Sequence, residues 1–106
     1  MEERNLRSDA LALLGLARRA GAVAKGTGAA RHALRKGEAR LLIVATDGSE
    51  TQRDKVVPAA LAQGVPWVRW GSMDDLGGAL GTGPVAAVAV TGDGFAGEIR
   101  KRLGRE

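Results

Sequence analysis

Two uninterrupted apolar runs constrain this chain most: Leu41-Leu42-Ile43-Val44-Ala45 and, at residues 85–90, Val-Ala-Ala-Val-Ala-Val. A strand wetted on one face alternates apolar and polar residues, whereas a strand covered on both faces has no polar position to show. Both runs therefore predict buried strands with helices above and below. Neither approaches the roughly 18 apolar residues needed to cross a bilayer, so no membrane partner is expected.

The rest of the chain supplies the covering layers. Ser8 or Asp9 can cap a helix running to Ala20 and stopped by Gly21. Leu11, Leu14 and Ala17 with Leu13, Leu16 and Ala20 cover most of its circumference, which predicts a largely buried helix. Residues 22–25 read as a short extended piece. Thr27, a plausible N-cap, opens a second helix with Ala30, Ala33 and Leu34 inward, ended by Gly37. After the strand at 40–46, the turn Asp47-Gly48-Ser49 leads into a helix over 50–63 with Val56, Val57, Ala60 and Leu61 inward and Pro58 inside it. Residues 65–70 read as a strand, and Ser72 caps a short helix with Asp74 and Asp75 in its first turn. A loop at 81–84 precedes the strand at 85–91, and a last helix begins at Asp93 or Gly94. Helices alternating with strands through short loops predict a three-layer α-β-α sandwich around a mixed, mostly parallel four-stranded sheet. One domain accounts for all 106 residues, with an ordered core over about 8–103.

Several kinds of chemistry lack the residues they need. There is no cysteine, hence no disulfide, thiol nucleophile or thiolate metal site, in keeping with a reducing, cytoplasmic setting. The N-terminus has no apolar core of a secretory signal. His32 is the lone histidine and has no acid at helical spacing, so neither a metal site nor a general base is expected. Lys25-Gly26-Thr27-Gly28 lacks the spacer and Gly-Lys pair of a P-loop. The Gly92-x-Gly94-x-x-Gly97 match opens the last helix, with no strand after it to complete a dinucleotide site. The aspartates sit at turns and helix starts, where capping accounts for them. No enzyme activity and no cofactor are expected.

What remains is charge. Of 16 basic residues, 12 are arginine, against 12 acids, and an arginine-rich basic domain suits a polyanionic partner. On the second helix, Gly28, Arg31, His32 and Arg35 follow i, i+3, i+4, i+7 spacing and share one face, with Lys25 and Lys36 beside it. Gly28 in the first turn permits close approach of a phosphate backbone, and the helix start adds N–H donors. This face predicts binding of structured RNA. The alternative is a protein-interaction module of a ribosome-associated or other ribonucleoprotein assembly. Trp67 and Trp70 face opposite ways on one strand, so one of them could serve as an exposed anchor.

The segment from Lys25 to Asp47, KGTGAARHALRKGEARLLIVATD, resembles the kink-turn RNA-binding family, the L-seven-Ae ribosomal protein superfamily. The opening LLGLARRAG at 13–21, Gly64-Val65-Pro66, the 72–77 helix start, Val88-Ala89-Val90-Thr91 and Gly94-Phe95-Ala96 resemble its bacterial YlxQ-type branch. The resemblance spans about residues 10–103. It implies the α-β-α sandwich and non-catalytic binding of ribosomal or kink-turn RNA. The start of the second helix, at Gly26 and Thr27, would enter the widened major groove. The loop of Gly81, Thr82, Gly83, Pro84 and Val85 would cover an extruded base. Archaeal and eukaryotic members typically carry Asn-Glu where this chain has Gly28-Ala29, and Lys where it has His32.

Overall fold

The two apolar runs become the two central strands of a four-stranded sheet. The computed structural model describes residues 2–103, with side chains over 8–103. Its elements are α1 (Glu2–Arg19), β1 (Val23–Lys25), α2 (Thr27–Arg35), β2 (Leu41–Val44), α3 (Glu50–Gln63), β3 (Trp67–Arg69), α4 (Met73–Ala79), β4 (Ala87–Val90) and α5 (Asp93–Leu103). The sheet order is β1-β4-β2-β3. Every residue of β2 and β4 is buried.

Strand direction corrects the sequence-based expectation. β2 and β3 are parallel, but β4 runs antiparallel to both its neighbours, so the sheet is mixed rather than mostly parallel. The cause lies in the connection from β3 to β4. The seven residues of α4 rise only about 10 Å, and the chain then doubles back. The Val85 N–H donates to the Met73 carbonyl at 3.1 Å, so β4 starts beside the start of α4. Having returned to the end it left, the chain can only re-enter the sheet in the opposite sense.

Side-chain alternation divides the core in two. Leu41, Ile43, Ala45, Val88 and Val90 meet Ala10 and Leu14 of α1, Leu76 of α4, and Ala96, Ile99 and Leu103 of α5. Leu42, Val44, Ala87 and Ala89 point the other way, to Ala30, Ala33 and Leu34 of α2 and Val56 and Ala60 of α3. Three layers result, as the element pattern predicts.

Helix starts follow the local chemistry. The Ser49 hydroxyl accepts from the Gln52 N–H at 3.1 Å while the Gln52 side chain accepts from the Ser49 N–H at 2.9 Å. Ser72 and Asp75 repeat this capping box on α4. Pro58 sits inside α3 without ending it. Three expectations fail. α1 begins at Glu2 and not at a cap on Ser8 or Asp9, because nothing from Glu2 onward breaks a helix. Its apolar residues do not bury all round: Ala10, Leu14 and Ala17 are inside, whereas Leu16 is 47% exposed and Ala20 is exposed. Leu61 of α3 is 67% exposed, because one helix face contacts the sheet and the next residue after Ala60 has turned away from it. No described helix is long and apolar enough to cross a membrane.

Candidate nucleic-acid interface

The strand register places the candidate residues at one end of the sheet. Val44 is level with both Arg69 and Ala87, and Lys25 is level with Val88. The last residues of β1, β2 and β3 and the first of β4 therefore share an end, and α2, α3 and α4 all start there. The Gly26 N–H donates to the Ala87 carbonyl at 2.8 Å, continuing the β1–β4 ladder up to the first turn of α2. Pro84 lies three residues before Ala87, a reach of about 10 Å at most. The Pro84 end of the 81–84 loop thus lies at the same end of the sheet as the tip of α2.

Gly26, not Thr27, is the N-cap residue of α2, and no side chain caps the helix there. Gly26 has φ 95 and ψ 156, a conformation open to glycine and costly to residues with a Cβ. That conformation turns the chain from strand to helix within one residue. The first amides of α2 are left without a side-chain acceptor, a donor set suited to an anion. Thr27 is half-buried as the first helical residue, and Gly28 and Ala29 are exposed.

The charged face of α2 forms as its spacing predicts. Arg31, His32, Arg35 and Lys36 are exposed opposite the buried Ala30, Ala33 and Leu34, and Lys25 is exposed at the end of β1. Among the described residues, Lys25, Arg31 and Arg35 enter no ion pair; Lys36 stands 4.0 Å from Glu38. The face is not uniform, however. Gly28 and His32 lie along its crest, while Arg31 and Arg35 flank it toward α3 and line a hollow there with Lys55.

The basic end of α5 behaves differently. Arg102 donates to Glu98 at 2.9 Å and Lys101 to the same carboxylate at 3.4 Å. Together they hold the Glu98 carboxyl below its ordinary range, the hydrogen bond from Arg102 being the largest single cause. Two of that helix's cations are thus already engaged. Arg105 lies outside the described residues.

The loop is held by α4. The Thr82 N–H donates to the Gly77 carbonyl at 2.9 Å and the Gly81 N–H to the Gly78 carbonyl at 3.2 Å. A Cβ on Gly77 would overlap the Gly83 carbonyl oxygen, so glycine is what lets the loop lie on the helix. Gly81, Thr82, Gly83 and Pro84 are exposed. Val85 is not: it is 8% exposed and belongs to the core. It anchors the loop and is not on its surface, a correction to its place among the candidate contacts.

Three features escaped the sequence reading. Arg69 is exposed at the same sheet end, donating to the Thr46 carbonyl at 3.2 Å; the sequence reading placed it inside a strand over 65–70, where nothing marked it. The Arg18 guanidinium lies beside Gly81, a contact between distant elements with no local signature. The Asp47 carboxylate accepts from the Met73 N–H at 2.8 Å, which ties the end of β2 to the first turn of α4. Trp67 and Trp70 do face opposite layers, but both are half-buried, so neither stands out as an anchor. Asp93 is engaged with Arg40 at 2.7 Å. No group of histidine, cysteine and acidic residues suited to a metal ion occurs among the described residues.

Two solved structures are similar to this fold. A protein of unknown function from Bacillus halodurans C matches with a TM-score of 0.85 at 25% identity, covering 91% of this chain and 97% of that one. The Giardia lamblia 15.5kD RNA binding protein matches with a TM-score of 0.77 at 25% identity, covering 95% and 87%. Residues 8–99 match the family model described as Ribosomal protein L7Ae/L30e/S12e/Gadd45. With most of its length so matched, and both layers and the sheet in place, the chain belongs to the L7Ae/L30e/S12e/Gadd45 family.

Proposed function

We propose that the protein binds structured RNA without catalysing a reaction, through the tip and exposed face of α2 together with the 81–84 loop. The observation that carries this reading is the uncapped start of α2. Its free amides, Gly28 and an outward face bearing Arg31, His32 and Arg35 stand at the same end of the sheet as a loop pinned to α4. Family membership and the likeness to an RNA-binding protein of Giardia lamblia support it.

Among RNAs, ribosomal RNA and kink-turn folds are the proposed ligands. Gly28 and Ala29 carry no side chain able to read a base edge. Recognition would therefore come from the shape of a widened groove, backbone amides and phosphate contacts, with Thr82 and Pro84 packing on a base or sugar. Lys25, Lys36 and His32 would add to the positive field.

Gel shifts on a kink-turn RNA, a straight duplex of equal length and ribosomal RNA, each at two salt concentrations, test the proposal. The folded RNAs should bind more tightly than the duplex. Arg31→Ala and Arg35→Ala should each weaken binding and lower the log–log salt slope by about one. Unchanged affinity and slope in both variants would remove this face from the interface.

A further inference from the structure

Between α2 and α3 lies a hollow of about 470 Å³, lined by Arg31, Arg35, Asp54, Lys55, Pro58 and Ala59 among others. Three cations and one acid line it. Arg31 and Arg35 are one helical turn apart, about 6 Å along the axis, a step comparable with that between successive phosphates of a nucleic-acid strand. Lys55 approaches from the opposite wall. Among the described residues Arg31, Arg35 and Lys55 enter no ion pair, whereas the neighbouring Arg53 is turned to Glu50 at 3.9 Å. Pro58 and Ala59 add apolar surface beside the cations. The hollow runs alongside α2 from Arg31 to Arg35, beginning one turn beyond the helix tip.

We propose that this groove is a track for the phosphate backbone of the RNA strand leaving the tip of α2, with Lys55 as a contact outside the tip and loop. The inference rests on the RNA-binding reading and extends it by a second wall. The chemistry favours a phosphodiester chain over an acidic protein segment. Two guanidiniums spaced along an axis match a repeating tetrahedral anion in bidentate fashion, and three cations against one acid favour a repeating polyanion.

The absence of cysteine makes site-specific labelling direct. Lys55→Cys, Thr82→Cys and Glu98→Cys would each carry a benzophenone, and each labelled protein would be irradiated with a kink-turn RNA bearing a long flanking stem. Crosslinks are expected from positions 55 and 82 and not from 98, on the far layer. Lys55→Ala should lower the salt slope by about one on the long RNA and leave it unchanged when the stem is trimmed. Crosslinking from 82 without 55, or an unaltered slope for Lys55→Ala on the long RNA, would overturn the track while sparing the tip. A position-55 label that captures an added oligoglutamate peptide and never RNA would overturn it in favour of an acidic protein partner. A wild-type chain that binds no RNA would overturn both proposals.

Discussion

The two faces of the sheet are built from side chains of different size. The layer of α1, α4 and α5 packs on Leu41, Ile43, Val88 and Val90 with Leu14, Leu76, Leu80 and Ile99. The layer of α2 and α3 packs on Ala87, Ala89, Leu42 and Val44 mostly with the small Ala30, Ala33 and Ala60, with Leu34 and Val56 as its larger members. A small-residue seam lets α2 sit close to β4 and fixes the height of its tip above the sheet end. A bulky seam buries more apolar area per residue and contributes more to stability. The difference teaches that the face which holds the fold and the face which presents the candidate site need not be the same.

The comparison can be broken by exchanging sizes. Ile43→Ala, on the bulky side, should cost about 2–5 kcal/mol in urea unfolding while the surviving fold keeps its RNA affinity. Next, Gly77→Ala forces a Cβ against the Gly83 carbonyl oxygen. It should cost about 1–3 kcal/mol and weaken RNA binding by displacing the loop, whereas Gly78→Ala, with open space around it, should spare the loop. On the small-residue side, Ala89→Leu should also cost about 1–3 kcal/mol, but here affinity for RNA should fall with stability because α2 is lifted. Equal affinity in Ile43→Ala and Ala89→Leu would show that the two layers do not divide the work. The smallest effect is expected from Asp47→Ala, which removes an acceptor from the first turn of α4 at a cost of about 1 kcal/mol. Thermal denaturation against Asp47→Asn, which keeps an acceptor oxygen, checks it.

How much of this was legible in the sequence depends on the distance over which each feature is decided. Ser49 with Gln52 and Ser72 with Asp75 are decided within four residues, and both capped helices begin where the sequence puts them. The buried runs identify β2 and β4 because burial on both faces leaves a continuous apolar string. That string reads the same for either strand direction, so the reversal of β4 was out of reach; it is decided by the Val85–Met73 hydrogen bond across the α4 turn. The exposed stripe on α2 was legible from spacing. The lean of Arg31 and Arg35 toward Lys55 was not, because it depends on which helix lies alongside. Val85 opens the apolar run at 85–90, so its burial was legible in the pattern; only the family resemblance assigned it to the loop.

The order of strands has a consequence for how the molecule comes into being. β1 and β2 never touch; each pairs with β4, which arrives last. Until residue 90 has been synthesised, β1 has no partner in the sheet and β2 has only β3. The seam beneath α2 is therefore closed by the last strand to be made, and the surface that would meet a nucleic acid takes its final shape only as the sheet is completed.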